Sequence, residues 1–427
     1  MWLTSLLRVL ACATVALAPL EGYLLQVHGQ SAKVVPAALI CVWVVSLVRQ
    51  RRLPAPHPLH LVIALLAVVL FATSAVHAAE PFTLEYLVRW VPFLVITVVL
   101  ADVAAREVPV RALLAATVAG AVVAAAGGVL SVLGGSSRAT GPLEDPNDLA
   151  FFLVAALPLL IALPARGRSR IVPLVLGAVL VAGAAATFSR GGGIALACAL
   201  AWLIARRGLP VRAVAVTAAV TGVAALVFAS AAQAELSRAL QEKSHIAGTN
   251  ADTRMLRWQA AARMLADDPV LGVGPGGFRQ QYAAAGQNAE IDEQTPVAHN
   301  MFLEVAAELG VPGIALLIGL VAVGFVASER ALRLVANRRA ALGLQTADRR
   351  AALTAQATDR RAALAALATD RREALAVQAA LIAVLVASIF LSEQYYLPLW
   401  SLVAIAVAIE HRARPASRKE RRCAFST

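Results

Sequence analysis

His299 closes the longest polar stretch of the chain, and Arg254, Arg257 and Arg263 precede it there. Imidazole can accept a proton near neutral pH, so His299 is a candidate general base. A lone histidine is also a common structural residue, and the residues alone leave both readings open. Arg254 and Arg257 are three apart and share a helical face. Two guanidinium groups with no acidic neighbour on that face repel unless an anion lies between them. The alternative is a solvated basic face, with Trp258 packing beside it.

Arg190 opens the run SRGGG between two greasy segments. Sixteen residues separate it from the basic anchor Arg206. At 1.5 Å per residue that is about 24 Å, short of the roughly 30 Å hydrocarbon core. Arg190 is therefore expected to sit slightly below the membrane surface and face a polar cavity. Its fork of N–H donors suits phosphate or diphosphate oxygens, and the glycines leave room for a bulky group. Snorkelling to headgroups is the competing reading.

A second polar turn, SSRATGPLEDPND, gathers Arg138, Glu144, Asp145, Asn147 and Asp148. Loop punctuation explains it equally well. Glu393, Tyr395 and Tyr396 form a last short turn, where tyrosines also serve as interface anchors. The run GVGPGG at Gly272–Gly277 lacks the Lys-Ser/Thr of a phosphate loop and reads as a plain turn. Acidic residues Glu290, Asp292 and Glu293 lie near His299, but no second histidine stands at ligand spacing, so no metal site and no cofactor are expected. Cys12, Cys41 and Cys198 fall inside apolar segments and Cys423 in the tail, with no CxxC pair.

The elements that carry these residues are membrane helices. The chain has 427 residues, 59% hydrophobic and only 15% charged. Twelve stretches are apolar enough to span: 3–20, 33–48, 58–77, 86–101, 110–133, 149–164, 170–188, 191–205, 211–231, 301–327, 377–393 and 396–410. With both ends on one side, 28 of the 38 Lys and Arg residues fall in one set of loops and 10 in the other. The positive-inside rule makes the first set cytoplasmic. The net charge of +12 is then a topology signal and no argument for nucleic acid.

The expected organisation is nine spans over 1–230, an outer loop with short helices over 231–299 and a tenth span over 300–327. A basic inner helix over 328–376, two spans over 377–410 and a basic tail over 411–427 complete it. Inside the loop, Asn250 or Asp252 can cap a helix over 253–267, ended by Pro269. Thr295 and Pro296 are expected to start another helix, with His299 in its first turn, where the positive end keeps the imidazole neutral. Gly310 and Pro312 are expected to break or bend that helix before the tenth span proper. The segment 345–377 repeats every eleven residues (QTADRRAALTA, QATDRRAALAA, LATDRREALAV), which returns each Asp-Arg-Arg to nearly one helical face. A spacer lying on anionic lipid headgroups and a regulatory or partner-binding role both fit it.

Four motifs then stand in order: a PND turn before one span, SRGGG opening another, TRxxRWxxA with DDPVLGVGPGGF after it, and AHNMFLEVAAELGVPG. That order, from about 138 to 327, resembles the O-antigen ligase and polymerase superfamily. The resemblance implies an all-α polytopic bundle of the GT-C-like kind, with about twelve spans and one long, mostly helical periplasmic loop. It implies a metal-independent, inverting glycosyltransferase of the bacterial inner membrane, acting at the periplasmic face with both termini cytoplasmic. The donor would be O-antigen on undecaprenyl diphosphate and the acceptor lipid A–core oligosaccharide; membrane lipids are the other partner. It carries catalytic roles onto His299, Arg190 and Arg254. Arg138, Arg257, Arg263, Asn300, Arg89, Asn147 and Asp148 become candidates for binding substrate. One sizeable outer loop favours the ligase over the polymerase, and a short basic tail disfavours the protein-glycosylating relatives. A lipid-linked sugar transporter is the alternative from another class; the absence of repeated spans and the gathering of charge at one face argue against it.

Overall fold

The computed structural model describes residues 2–163, 171–212, 252–288, 290, 293, 295–344 and 355–414. Their secondary structure is helical, with no strand among them. In chain order the helices are α1 (Trp2–Leu17), α2 (Glu21–Val27), α3 (Ser31–Gln50), α4 (Pro58–Val76), α5 (Thr83–Arg106), α6 (Val110–Leu133), α7 (Pro146–Ala156), α8 (Ile171–Ala186) and α9 (Arg190–Ala205). After them come α10 (252–267), α11 (Gly277–Ala285), α12 (Met301–Leu344), α13 (Ala355–Ala387) and α14 (Leu397–Ala413).

Among the described residues, six helical stretches are long and apolar enough to cross a membrane: Trp2–Val27, Ser31–Gln50, Pro58–Val76, Thr83–Arg106, Val110–Leu133 and Met301–Leu342. Shorter apolar helices lie at Pro146–Ala162, Ile171–Ala186 and Arg190–Ala205. The expected span at 211–231, the start of the polar loop and the first repeat of the 345–377 segment lie almost wholly outside the described residues. Two boundaries differ from expectation. Beyond Gly310, helix α12 continues past 327, and α13 runs unbroken through 376, so no helix boundary falls at either place. Sequence rich in alanine and straight-chain residues has no reason to stop a helix there.

Helix α14 is the centre of the bundle. Its residues from Pro398 to Glu410 are all buried, because small and β-branched side chains let α5, α12 and α13 pack on every side of it. Trp400 lies edge-on to Trp90 at 5.9 Å and stacks on Phe93 at 6.0 Å. At the basic end, buried carboxylates tie the loops together. Asp102 takes Arg52 at 2.8 Å and Arg106 at 3.1 Å, and Glu410 takes Arg414 at 2.6 Å.

At the other end the segment 252–300 builds a small core of its own. Ala260, Ala261, Met264, Val273, Phe278 and Tyr282 pack with Ala298 and with Ala307 of α12. The polar loop is thus seated on the first turns of α12. That helix breaks where Gly310 adopts φ 66° and ψ −171°, a conformation open to glycine and strained for other residues.

Candidate functional site

His299 does not lie in a helical turn. Residues 295–300 are extended or bent, and α12 begins at Met301. Asn300 is the cap, its Oδ1 accepting from the N–H groups of Phe302 and Leu303 at 3.1 Å each. A side-chain oxygen at this place satisfies two of the helix's free donors, which Thr295 and Pro296 were expected to do further upstream. Asn300 is therefore a structural cap. His299, one residue before it, adopts φ 50°, the left-handed region that only a minority of non-glycine residues occupy. A residue held there must be fixed by its surroundings.

Three contacts do the fixing. The carboxylate of Glu304 accepts from the main-chain N–H of Ala298 at 2.8 Å, while also taking Gln394 Nε2 at 2.7 Å and the Ser392 hydroxyl. The N–H of Met301 donates to the carbonyls of Ser388 and Leu391 at 2.9 and 2.8 Å. Arg257 Nη1 donates to the carbonyl of Val297 at 3.3 Å.

Arg257 has the acidic neighbours that its own helix lacks. Glu290 and Glu293 reach it from the far side of the loop, each at 2.9 Å, and its guanidinium lies 5.8 Å from the Tyr282 ring. Burial opposes its charge, but these hydrogen bonds and charges outweigh burial and raise its pKa. The same bond holds the Glu290 carboxyl below the usual carboxylate range, and burial with Glu290 pushes Tyr282 up to about 12. Arg257 thus organises the loop, in place of the anion expected between it and Arg254. Arg263 is likewise engaged, donating to the carbonyl of Ala285. Arg89 pairs with Glu85 at 2.5 Å on the exposed side of α5 and covers Tyr86.

Arg254 is different. No side-chain hydrogen bond joins it to another described residue, and burial lowers its pKa. Its guanidinium remains cationic, as arginine does in proteins. Trp258, four residues on and so on the same face, has a buried indole N–H with no acceptor among the described residues. Arg254 and Arg257 both act electrostatically on His299. Burial first, then Arg257 and Arg254, push its pKa from 6.5 down to about 4. The imidazole is neutral at pH 7 by a wide margin. Desolvation and two cations achieve what the helix end alone was expected to do.

The PND turn faces the same place. Asp145 caps α7, its Oδ1 accepting from the N–H of Asn147 at 2.7 Å, and its charge is felt by both Arg254 and His299. Arg138 donates to the carbonyl of Thr187 at 2.8 Å and to Asn147 Oδ1 at 3.2 Å. It thereby ties the PND turn to the residues just before Arg190. Asp148 accepts from the Tyr396 hydroxyl at 2.8 Å and shares a hydrogen bond with Glu393.

Arg190 begins α9, with Ser189 as cap at 3.2 Å from the N–H of Gly192. It is exposed and has no described side-chain partner, whereas the sequence placed it facing a polar cavity. The glycines are filled from inside the protein: a side chain at Gly191 would meet Phe390 and one at Gly192 would meet Ala150, leaving only Gly193 open. Phe390 sits in the turn that holds the Met301 N–H, so Arg190 and His299 flank one structural turn. Arg190, Arg254, Arg138, Asp145 and His299 thus converge at one end of the bundle. Arg89, Arg257 and Arg263 carry structural contacts.

Sequence reasoning missed Glu304 and Glu308. Their spacing of four on an apolar helix, where carboxylates need partners, was the available signal. Glu308 Oε1 accepts from the N–H of Gly276 at 2.9 Å, and the main chain at Val273 and Gly274 bonds to the carbonyls of Ala307 and Glu308. The glycine-rich turn therefore donates to an acidic side chain of the chain itself, that of Glu308.

Residues 175–318, about a third of the chain, match the family model described as O-antigen ligase, and the matched segment contains Arg190, Arg254 and His299. No curated protein matches the chain.

Proposed function

From the match of residues 175–318, which supports membership of the O-antigen ligase/polymerase superfamily, we propose that the protein is an O-antigen ligase. It transfers O-antigen glycan from undecaprenyl diphosphate to lipid A–core oligosaccharide. On this reading the chain crosses the bacterial inner membrane about twelve times, with the His299 end at the periplasm and both termini inside.

His299 takes the proton of the acceptor hydroxyl. The acceptor oxygen attacks the anomeric carbon from the face opposite the diphosphate, the C1–O bond to phosphate breaks, and undecaprenyl diphosphate leaves with the bonding pair. Configuration inverts. Arg254 and Arg190 bind the diphosphate and stabilise its growing charge, an effect of about 2.7–4 kcal/mol per donor in comparable sites. Asn147, Asp148 and Arg138 shape the floor on which the sugar rests.

The observation that carries this reading is the state of His299: held in the left-handed region, neutral, and under the charge of an arginine with no described hydrogen bond. A structural histidine needs none of these. The polymerase is the second reading within the same superfamily, and the single long polar segment before His299 favours the ligase. The test is complementation of a ligase-null strain with His299→Ala, Arg190→Ala and Arg254→Ala, read on lipopolysaccharide gels at equal expression. Loss of capped lipopolysaccharide is expected for each; normal capping by all three sinks the mechanism. Supplying purified protein with lipid A–core or with a second donor molecule as acceptor separates ligase from polymerase.

A further inference from the structure

A cavity of about 450 Å³ opens at the far end of the bundle, between the continuation of α12 and α13. About 28 Å of helix separates Glu329 beside it from the Gly310 kink, at 1.5 Å per residue. Four arginines line it: Arg206, Arg333, Arg339 and Arg371. Glu329 is the one carboxylate in the lining, and leucines such as Leu332 and Leu367 form its apolar part.

Among the described residues, one carboxylate answers these four arginines. Glu329 pairs with Arg206 at 2.7 Å and reaches Arg333 only at 3.8 Å. Arg371 donates to the carbonyl of Arg206 at 2.7 Å, a neutral acceptor that does not cancel its charge. Arg333 and Arg339 are exposed. The lining carries a formal charge of +3, four guanidinium groups against one carboxylate. A smaller neighbouring cavity, of about 280 Å³, gives the contrast: there Arg111 and Arg412 meet Asp370 and Glu373, and the charges balance. The eleven-residue repeat bears on both, since its Asp370-Arg371 pair sends the acid to the balanced cavity and the base to the unbalanced one.

We propose that this cavity binds the phosphate headgroup of an anionic phospholipid, with the acyl chains against its leucines. Guanidinium forks select phosphate oxygens. The apolar lining selects a lipid over a free anion, and the cavity lies where helices leave an apolar span for a basic stretch. Basic pockets between helices at such a boundary are suited to acidic headgroups. The repeat then serves as one wall of a lipid site that braces α12, the helix whose opposite end begins two residues after His299.

The experiment is displacement of fluorescent phosphatidylglycerol from the purified full chain in neutral detergent. Unlabelled phosphatidylglycerol should displace it; phosphatidylcholine and inorganic phosphate at equal concentration should not. Arg333→Gln and Arg339→Gln should each weaken binding about five- to tenfold. Glu329→Gln should tighten it, a gain that a misfolded variant cannot imitate. Wild-type affinity in both arginine variants overturns the proposal. So does full displacement by phosphatidylcholine, which marks an unselective annulus, or by inorganic phosphate, which marks a free-anion site.

Discussion

The Glu304 carboxylate holds the main-chain N–H of Ala298 at 2.8 Å and so fixes the residue before His299 from within the first turn of α12. The same carboxylate binds Gln394 and Ser392 of the turn after α13. Removing it leaves a buried N–H and a buried amide without acceptors, a loss of about 1–3 kcal/mol for each. Glu304→Ala should lower the melting temperature and, by releasing His299, reduce kcat about a hundredfold with little change in donor KM. Glu304→Gln keeps an acceptor oxygen and should recover most of both. Equal kcat in the alanine variant and the wild type, in steady-state transfer assays, removes the positioning role.

His299 sets the pH dependence. Its folded-state pKa of about 4 lies below the ordinary 6.5, so the free enzyme's kcat/KM should stay level down to about pH 5 and fall only as the imidazole protonates. Bound diphosphate offsets Arg254 and Arg257, which raises the imidazole's pKa; the acid limb of kcat should therefore lie above that of kcat/KM. Stability obeys the same linkage. The unfolded chain binds the proton more tightly, so this contribution is present above pH 6.5 and is lost as pH falls from 6.5 to about 4. Coincident acid limbs near 6.5 in both profiles contradict the assignment.

Much of this was legible in the residues. Among the described residues, apolar length gave the six helices able to cross a membrane, Gly310 and Pro312 gave the break in α12, and the expected helix over 253–267 is seen at 252–267, with Asp252 inside it and Pro269 just beyond it. The motifs singled out Arg190, Arg254 and His299, and the matched segment 175–318 contains all three. The partners of charge were hidden, because they come from distant sequence. Arg257 meets Glu290 and Glu293 across the loop, and Glu304 meets the 392–394 turn. The cap at Asn300 was hidden for a local reason. Thr295 and Pro296 satisfy every composition rule for a helix start, and only the tie between Met301 and Ser388 moves the start downstream.

Arg254 and Arg257 should separate cleanly in mutation. Arg257→Gln leaves Glu290 and Glu293 without their cation; both are partly exposed, so the loss of stability should be about 1–2 kcal/mol after screening. It should also raise the acid limb of His299, because a repelling charge has gone. Arg254→Gln should leave melting nearly unchanged and weaken donor binding about tenfold or more, the effect of one charge-assisted phosphate contact. Melting curves and donor titrations on the two variants decide between these roles.

Transfer should proceed in EDTA. Arg254 and Arg190 supply the positive charge that a divalent cation supplies in many sugar transferases, and a guanidinium is not removed by a chelator. Product formation from purified donor and acceptor, with and without EDTA, should agree within error. Loss of product on chelation, restored by magnesium or manganese, places a metal in the reaction.

The kink in α12 links the loop to the bundle and can be tested with two glycines of one helix. At Gly310, φ is 66° and an added Cβ would come within 2.6 Å of the Val270 carbonyl oxygen. Gly310→Ala combines a disfavoured backbone with a backbone clash and should cost about 3 kcal/mol or more. At Gly319 an added Cβ would meet nothing nearer than Val62 at 3.9 Å. Gly319→Ala should be neutral or stabilise by about 0.5–1 kcal/mol, as alanine does inside a helix. Because Pro269 and Val270 belong to the turn after α10, Gly310→Ala should also displace Arg254 and weaken donor binding, whereas Gly319→Ala should not. Unfolding midpoints and donor affinity for the pair report whether the kink holds the site together.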